Sequence, residues 1–466
     1  MQEYAFERLN GRFNNESQNK NNVKVYIEDL ATWINNNYGL GFDFLTNWYG
    51  DNYIKLELYV GGDRASDIVI PESVTDIGKY AFLAVSMNSI VLHKNVEKVN
   101  AGAFSESTLK TIYSQSKFAP DIYSGTNYNQ TQFGTSTLTA IYVPSGKAMT
   151  YKNKWTGHEA IIKEADTEVK GEQTIESIAE AKEAVRMVYG EEAGYIDLTG
   201  ATLDGSITAE ALKAGDTSSN VLYYLPSAST ISGTNIIKDG KAESVVLSDG
   251  GNIVVPEDKE FTAESITYTR SFPQSSDNAY TLCLPYDCTL PEGLKAYTLK
   301  GKDAEGNAVF AEVANIVANE PYLVVADQTV SSLSAANVTM KVTPDEMEDA
   351  GTSDFEFRGT LRTISNSEAA DMGAYILQAG MEWHPVSTGN TSAYIGAGRA
   401  YIVPAGAGAR SVVGTVFGHQ TTEANFIKLE NTDGTEEWYT LDVRKLSQKA
   451  SRHGLYINKG KKVIIK

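Results

Sequence analysis

Residues 68–89 (IVIPESVTDIGKYAFLAVSMNS) and 90–111 (IVLHKNVEKVNAGAFSESTLKT) align without a gap at a period of 22. Ile68 falls on Ile90, Ile70 on Leu92, Val74 on Val96, Ile77 on Val99, Ala81-Phe82 on Ala103-Phe104, and Met87 on Leu109. A period of this size means a coil that cannot bury its apolar edge alone, so coils must stack and be capped. Two full copies are fewer than the roughly three that stability needs. The flanks, residues 23–67 and 112–163, are therefore expected to complete the stack. Further strand starts lie at Ile112 and at Ile141-Tyr142-Val143-Pro144. Strand alternation sends Ile68, Ile70, Ile90, Leu92, Ile112, Ile141 and Val143 inward. It leaves Asp67, Val69, Ser89, Val91, Thr111, Tyr113 and Tyr142 on the outward face, which makes those seven the candidate ligand-binding residues. Phe82 and Phe104 are expected to sit one above the other inside the coil.

The run Ile70-Pro71-Glu72-Ser73-Val74-Thr75-Asp76-Ile77-Gly78 with Tyr80-Ala81-Phe82 resembles the BspA-type leucine-rich repeat of surface proteins from gut and oral anaerobes. So do the lead-in Val25 to Trp33 and the exit Ile141 to Gly146 with Tyr151 and Trp155. The likeness covers about residues 23–163. The second copy departs from it: His93-Lys94-Asn95 stands where Pro-x-Ser is usual, and Asn100 replaces the Gly. Residues 1–22 read as a polar segment, with Tyr4-Ala5-Phe6 a stub of an earlier repeat. Met1 to Phe13 lacks an apolar core and so does not read as a signal peptide, although a mature chain would look the same.

Beyond the repeats the chain reads as mainly β. Residues 164–265 are a polar linker, one helix and a small β-rich domain. Ser177 is the expected N-cap of that helix, with Glu180 closing a capping box and Ile178, Ala181, Val185 and Val188 on one face. Residues 266–435 hold many short strands between turn signals, which predicts a β-sandwich-like domain. The strings at 281–287 (TLCLPYD), 319–325 (NEPYLVV) and 398–406 (GRAYIVPAG) resemble modules that follow such repeats in the same surface proteins. Residues 436–466 read as a basic β-hairpin tail. They hold eight Lys/Arg against three Asp/Glu, a balance of +5 on a chain of net charge −19. The tail resembles C-terminal segments linked to export or surface sorting, although Val443 stands where that pattern has Gly. The equal alternative is a hairpin that closes the last sheet.

Motifs for chemistry are sparse. The acidic body argues against nucleic acid, which needs a basic patch. No His-Glu-x-x-His occurs, and the five His (His93, His158, His384, His419, His453) are scattered, so neither a metal nor a cofactor is expected. No Gly-x-Ser-x-Gly elbow is present. Gly396-Ala397-Gly398-Arg399 fails as a dinucleotide loop and reads as a Gly-rich turn. Ser248-Asp249-Gly250-Gly251-Asn252 and Asn431 to Gly434 are calcium-loop fragments without the full ligand ladder, and also read as turns. Cys283 and Cys288 are open to two readings: a disulfide if Pro285 folds the segment, or two half-buried thiols. The five Trp are expected in cores or caps in preference to a sugar-stacking platform.

Together with the resemblance, these features imply a secreted or cell-surface, non-enzymatic protein. It would act as a monomer without a transmembrane segment, adhering to a host or bacterial surface protein or glycan through the repeat face. The alternatives are a carbohydrate-active accessory protein or hydrolase with its site in 266–419, or a structural spacer.

Overall fold

The computed structural model describes residues 23–35, 55–123, 133, 137–191, 193–303, 306–344, 347, 355–390, 392–404, 413–418, 438–440, 454–458 and 461–465. The stub at 4–6, Trp48, His419 and His453 lie outside the described residues. The chain forms two compact units, the first of residues 1–193 and 200–215, the second of residues 194–199 and 216–466. This division cuts across the segments drawn from composition: the helix expected in a separate small domain belongs with the repeats.

In the first unit, β1 (Asp67–Val69), β2 (Ser89–Leu92), β3 (Thr111–Ser114), β4 (Ala140–Pro144) and β5 (Ile162–Ala165) form one parallel sheet in chain order. Ile68 pairs with Ile90 and Ile90 with Ile112, so the register follows the period, and Ile112 pairs with Ile141 after a longer step. The inward parity is as expected: all seven inward residues are buried. A second parallel ladder, Asp76–Ile77 on Lys98–Val99 on Asp121–Ile122, closes the opposite side of the coil. Between the ladders Phe82 and Phe104 stack at 5.6 Å with their planes 6° apart.

The repeat extends to the backbone itself. Tyr80 and Gly102, one period apart, share φ values of 59° and 68°, and Ala84 and Glu106 are both at 56°. L side chains rarely adopt this region, so the stack imposes it. Gly102 has a further reason to be glycine, since a Cβ there would lie 2.4 Å from Cε1 of Tyr80. The departures of the second copy also find structural partners. Asn100 donates from Nδ2 to the Ile77 carbonyl at 2.9 Å, Asn95 does the same to Glu72 at 2.9 Å, and His93 Nε2 lies 3.3 Å from Glu72.

Caps close both ends. Val23–Ile27 pairs in parallel with Leu56–Val60, and α1 (Leu30–Asn35) buries Trp33, whose Nε1 donates to the Ala81 carbonyl at 2.8 Å. At the exit, α2 (Ala148–Lys154) buries Tyr151, and Trp155 follows it, fully enclosed, donating to Pro120 O at 2.9 Å. A third helix, α3 (Ile175–Tyr189), begins two residues before the expected N-cap. Thr174 takes that role: it accepts from Ser177 N, while Ser177 Oγ accepts from Thr174 N at 3.0 Å. Both capping-box partners are hydroxyls, and Glu180 is left free for another task.

In the second unit, β6 (Phe261–Phe272) runs through the boundary drawn at 265. Lys241–Ala242 and Val245–Ser248 pair along one edge of it, and a later strand along the other. Nine further strands make up the body: β7 (Tyr280–Leu282), β8 (Leu294–Lys302), β9 (Ala308–Val313), β10 (Tyr322–Ala326), β12 (Phe355–Thr360), β13 (Tyr375–Gln378), β14 (Glu382–Pro385), β15 (Arg399–Pro404) and β16 (Val413–Gly418). The partner of β6 on its second edge is β11 (Val330–Met340), antiparallel to it.

The nine strands form one sheet in the order β7-β10-β8-β9-β16-β14-β13-β15-β12. Its ends curl back together, since Cys283 N, just past β7, donates to Gly398 O, just before β15, at 3.2 Å. Two separate sheets were expected here, and a single near-closed sheet is found, with the β6–β11 ribbon packed beside it. Gly359 of β12 makes the closure possible, because a Cβ there would lie 2.4 Å from Cys283 Sγ. Phe310, Phe357 and Trp383 fill the inside, the first and last stacked at 6.3 Å. Trp33, Trp155 and Trp383 are thus core residues.

The disulfide reading of Cys283 and Cys288 is corrected: both thiols are free and buried. Cys283 faces Gly359, whereas Cys288 is held in a bridge to Ile316, so the intervening Pro285 does not fold the pair together. In the tail, Trp438–Thr440, Gly454–Asn458 and Lys461–Ile465 form a three-stranded antiparallel unit.

Candidate functional site

The outward face of the repeat sheet is open at its start and again at Lys163 on its last strand. Val69 is 59% exposed, Asp67 is exposed, and Ser89 and Thr111 are half-buried. Ser89 Oγ donates to Asp67 at 2.7 Å, which fixes the carboxylate beside Val69. The face changes after β1. Val91, Tyr113 and Tyr142 are buried, against expectation, because α3 lies over them with Ala184, Val185 and Val188. An apolar row of one Val and two stacked Tyr rings, 5.6 Å apart, needs cover, and the apolar stripe of α3 supplies it. Polar contacts lock the helix in place. Tyr142 donates its hydroxyl to Glu180, Lys163 Nζ reaches the same carboxylate at 3.1 Å, and Gln115 donates to Met187 O at 3.0 Å. Burial pushes the Tyr113 phenol up to about 12, and the nearby Glu183 and Glu180 add to the shift. The Tyr142 hydrogen bond holds Glu180 below its ordinary range. These are properties of a packed interface, with no reactive group among them.

A second feature lies wholly within the other unit. A cleft of about 720 Å³ opens beside the closure of the nine-stranded sheet. Among the described residues three charged side chains line it: Asp249, Arg270 and Arg399. Arg399 grips Asp249 with both arms, Nη1 to Oδ1 at 2.6 Å and Nη2 to Oδ2 at 2.8 Å, and Tyr268 donates to Oδ1 at 3.1 Å. Burial alone would raise the Asp249 carboxyl, but the hydrogen bonds and charge of Arg399 outweigh it and hold it below the usual range. Arg270 is buried. Its Nη1 donates to Thr281 O at 2.6 Å, and its guanidinium lies 4.7 Å over the Phe272 ring. Burial, with the charge of Arg399 next, brings its pKa down to about 10.

Residues 53–153 match the family model of the BspA type leucine rich repeat region, whose description carries six copies. No curated protein and no solved structure matches the chain. The BspA-type match supports a role in protein interaction at a surface, the setting in which such repeats are usually found, and such repeats are typically non-enzymatic. Among the described residues no helix is long and apolar enough to cross a membrane, and no group of three His, Cys, Asp or Glu is placed to hold a metal.

In the sequence Asp249 and Arg399 both read as turn residues. They stand 150 positions apart, and no local pattern announces their pairing. The sole hint was an Arg directly after the Gly-rich turn, where Gly398 at φ +73° sets the strand entry. Arg270 sits in a strand whose alternation marks it as inward, which for an arginine is itself a signal.

Proposed function

We propose that the protein is an extracellular, non-enzymatic binding protein, acting as a monomer, that adheres to a protein or glycan on a host or bacterial surface through the open start of its BspA-type repeat face. Asp67, Val69, Ser89 and Thr111 form the contact, and Val91, Tyr113 and Tyr142 act as its buried footing. The observation that carries this reading is Val69, a β-branched apolar side chain 59% exposed on a strand face whose other apolar residues, Val91, Tyr113 and Tyr142, are covered. An exposed apolar centre with a polar rim is the ordinary anatomy of a recognition patch. The cleft in the other unit favours binding over hydrolysis in this reading, because among the described residues it is lined by one carboxylate where glycoside hydrolysis uses two. The basic tail serves export or surface sorting in this reading. Its removal is expected to abolish surface display and leave the melting of the rest unchanged.

The test is saturable binding of the labelled full chain to intact host epithelial and bacterial cells and to arrayed surface proteins and glycans. Val69→Asp and Asp67→Arg should each remove it, with the melting temperature unchanged because both sites are exposed. Binding that survives both substitutions would place recognition elsewhere.

A further inference from the structure

The cleft beside Asp249 has a charge arrangement that its own fold does not balance. Among the described residues two guanidinium groups line it against one carboxylate, and that carboxylate is fully engaged by Arg399. Among the described residues no acidic group lies within ion-pair distance of Arg270, which leans on backbone carbonyls of Thr281 and Gly398. The cleft is therefore a site of net positive charge on a chain of net charge −19. Burying an arginine without a carboxylate is costly, and a charge kept at that cost is suited to attracting an anion.

The rest of the lining says what kind of anion. Gln378, Asn390 and Ser392 present amides and a hydroxyl, the donors and acceptors that hydroxyl groups need. Tyr394 stands at the same wall, a residue 58% exposed whose aromatic surface can take an apolar ring face. A volume of about 720 Å³ lies within the usual range for a small-molecule site and has room for more than one sugar ring.

We propose that this cleft binds an anionic sugar residue of a glycan, its acidic group directed to the Arg399–Arg270 side, its hydroxyls to Gln378, Asn390 and Ser392, and its ring face on Tyr394. A carboxylate on a uronic acid and a sulfate ester share this chemistry. Charge-assisted hydrogen bonds from the guanidinium N–H groups left beyond the Arg399–Asp249 pair suit either.

Calorimetry on the full chain distinguishes them, with digalacturonate, a sulfated lactose and neutral lactose as probes. At least one acidic probe should bind at least about tenfold more tightly than lactose, as a hydrogen-bonded charge implies, and added salt should weaken it. The stronger of the two names the source. Tyr394→Ala alters an exposed residue and should weaken binding several-fold. The paired variant Arg399→Gln/Asp249→Asn keeps the net charge of that pair and should lose about tenfold or more. Val69→Asp, in the other unit, should leave this binding unchanged. Equal affinity for acidic and neutral probes, no binding of any probe at millimolar concentration, or affinities untouched by both cleft variants would each overturn the assignment.

Discussion

Phe104 is the side chain on which the stacked coil most directly depends. It is fully buried, lies on Phe82 at 5.6 Å, and meets Phe133 at 6.3 Å on its other side. Replacing it by Ala removes a ring from a site flanked above and below by rings that are themselves buried, so little collapse is available. Burial of about 150–250 Å² at about 25 cal/mol/Å² sets the transfer loss near 4–6 kcal/mol as an upper figure. Measured Phe→Ala losses of about 3–5 kcal/mol agree with it. For a unit of this size that is a fall in melting temperature of roughly 6–20 °C. The assay is urea unfolding followed by amide exchange in peptides from residues 68–114, where the parallel ladders report the coil directly. A cycle with Phe82→Leu and Phe104→Leu should return a coupling of about 0.5–1.5 kcal/mol. A loss below about 1 kcal/mol for Phe104→Ala, typical of a surface change, would refute the stacked-coil account.

Gly359→Ala should destabilise the second unit by about 1–3 kcal/mol, since the new Cβ would meet Cys283 Sγ at 2.4 Å, and Cys283→Ala should recover part of the loss; an unchanged urea midpoint would mean the sheet ends do not meet there. Burial pushes the Cys283 thiol up to about 12 and Cys288 to about 11, so both should label slowly in the native protein at neutral pH and both should alkylate after unfolding without reductant. The same experiment finding no alkylation would show a disulfide. Burial raises the Asp197 carboxyl, but Lys259 at 2.8 Å and the Thr199 hydrogen bonds prevail and hold it below the usual range, as Arg399 does for Asp249. A folded value below the unfolded one gives stability that is fully present above about pH 4 and lost as pH falls through the folded value. Urea midpoints of the second unit should therefore fall below about pH 4, and Asp197→Asn should flatten that fall; a midpoint independent of pH there would contradict the ion pairs.

The coil was legible because its information is local and repeated. Ile68 and Ile90 occupy the same place in two copies, and each confirms the register of the other. The cover over that coil was not. Val185 and Val188 are recognisable as one face of a helix, yet nothing in 175–189 says which surface takes that face. The outward parity of Tyr113 was right, but outward meant exposed only until another element arrived. The 265 boundary failed for a related reason: the break in composition there falls inside β6, a strand paired on both edges. The closing of the nine-stranded sheet turns on Gly359 and Cys283, and the cleft on Asp249 and Arg399. Each pair is distant in sequence and joined only by the tertiary fold.

The membership of residues 194–215 bears on how such a chain is inherited. Residues 194–199 belong to the second unit and 200–215 return to the first, where Ala201–Leu203 pairs with Gly171–Gln173. A single recombination breakpoint after residue 193 would deprive the donor fragment of the strand that Gly171–Gln173 needs, and one after residue 215 would carry off Tyr195–Asp197, the partner of Leu222–Tyr224. Gene exchange that keeps both units folded must therefore carry the junction behind the repeat array whole.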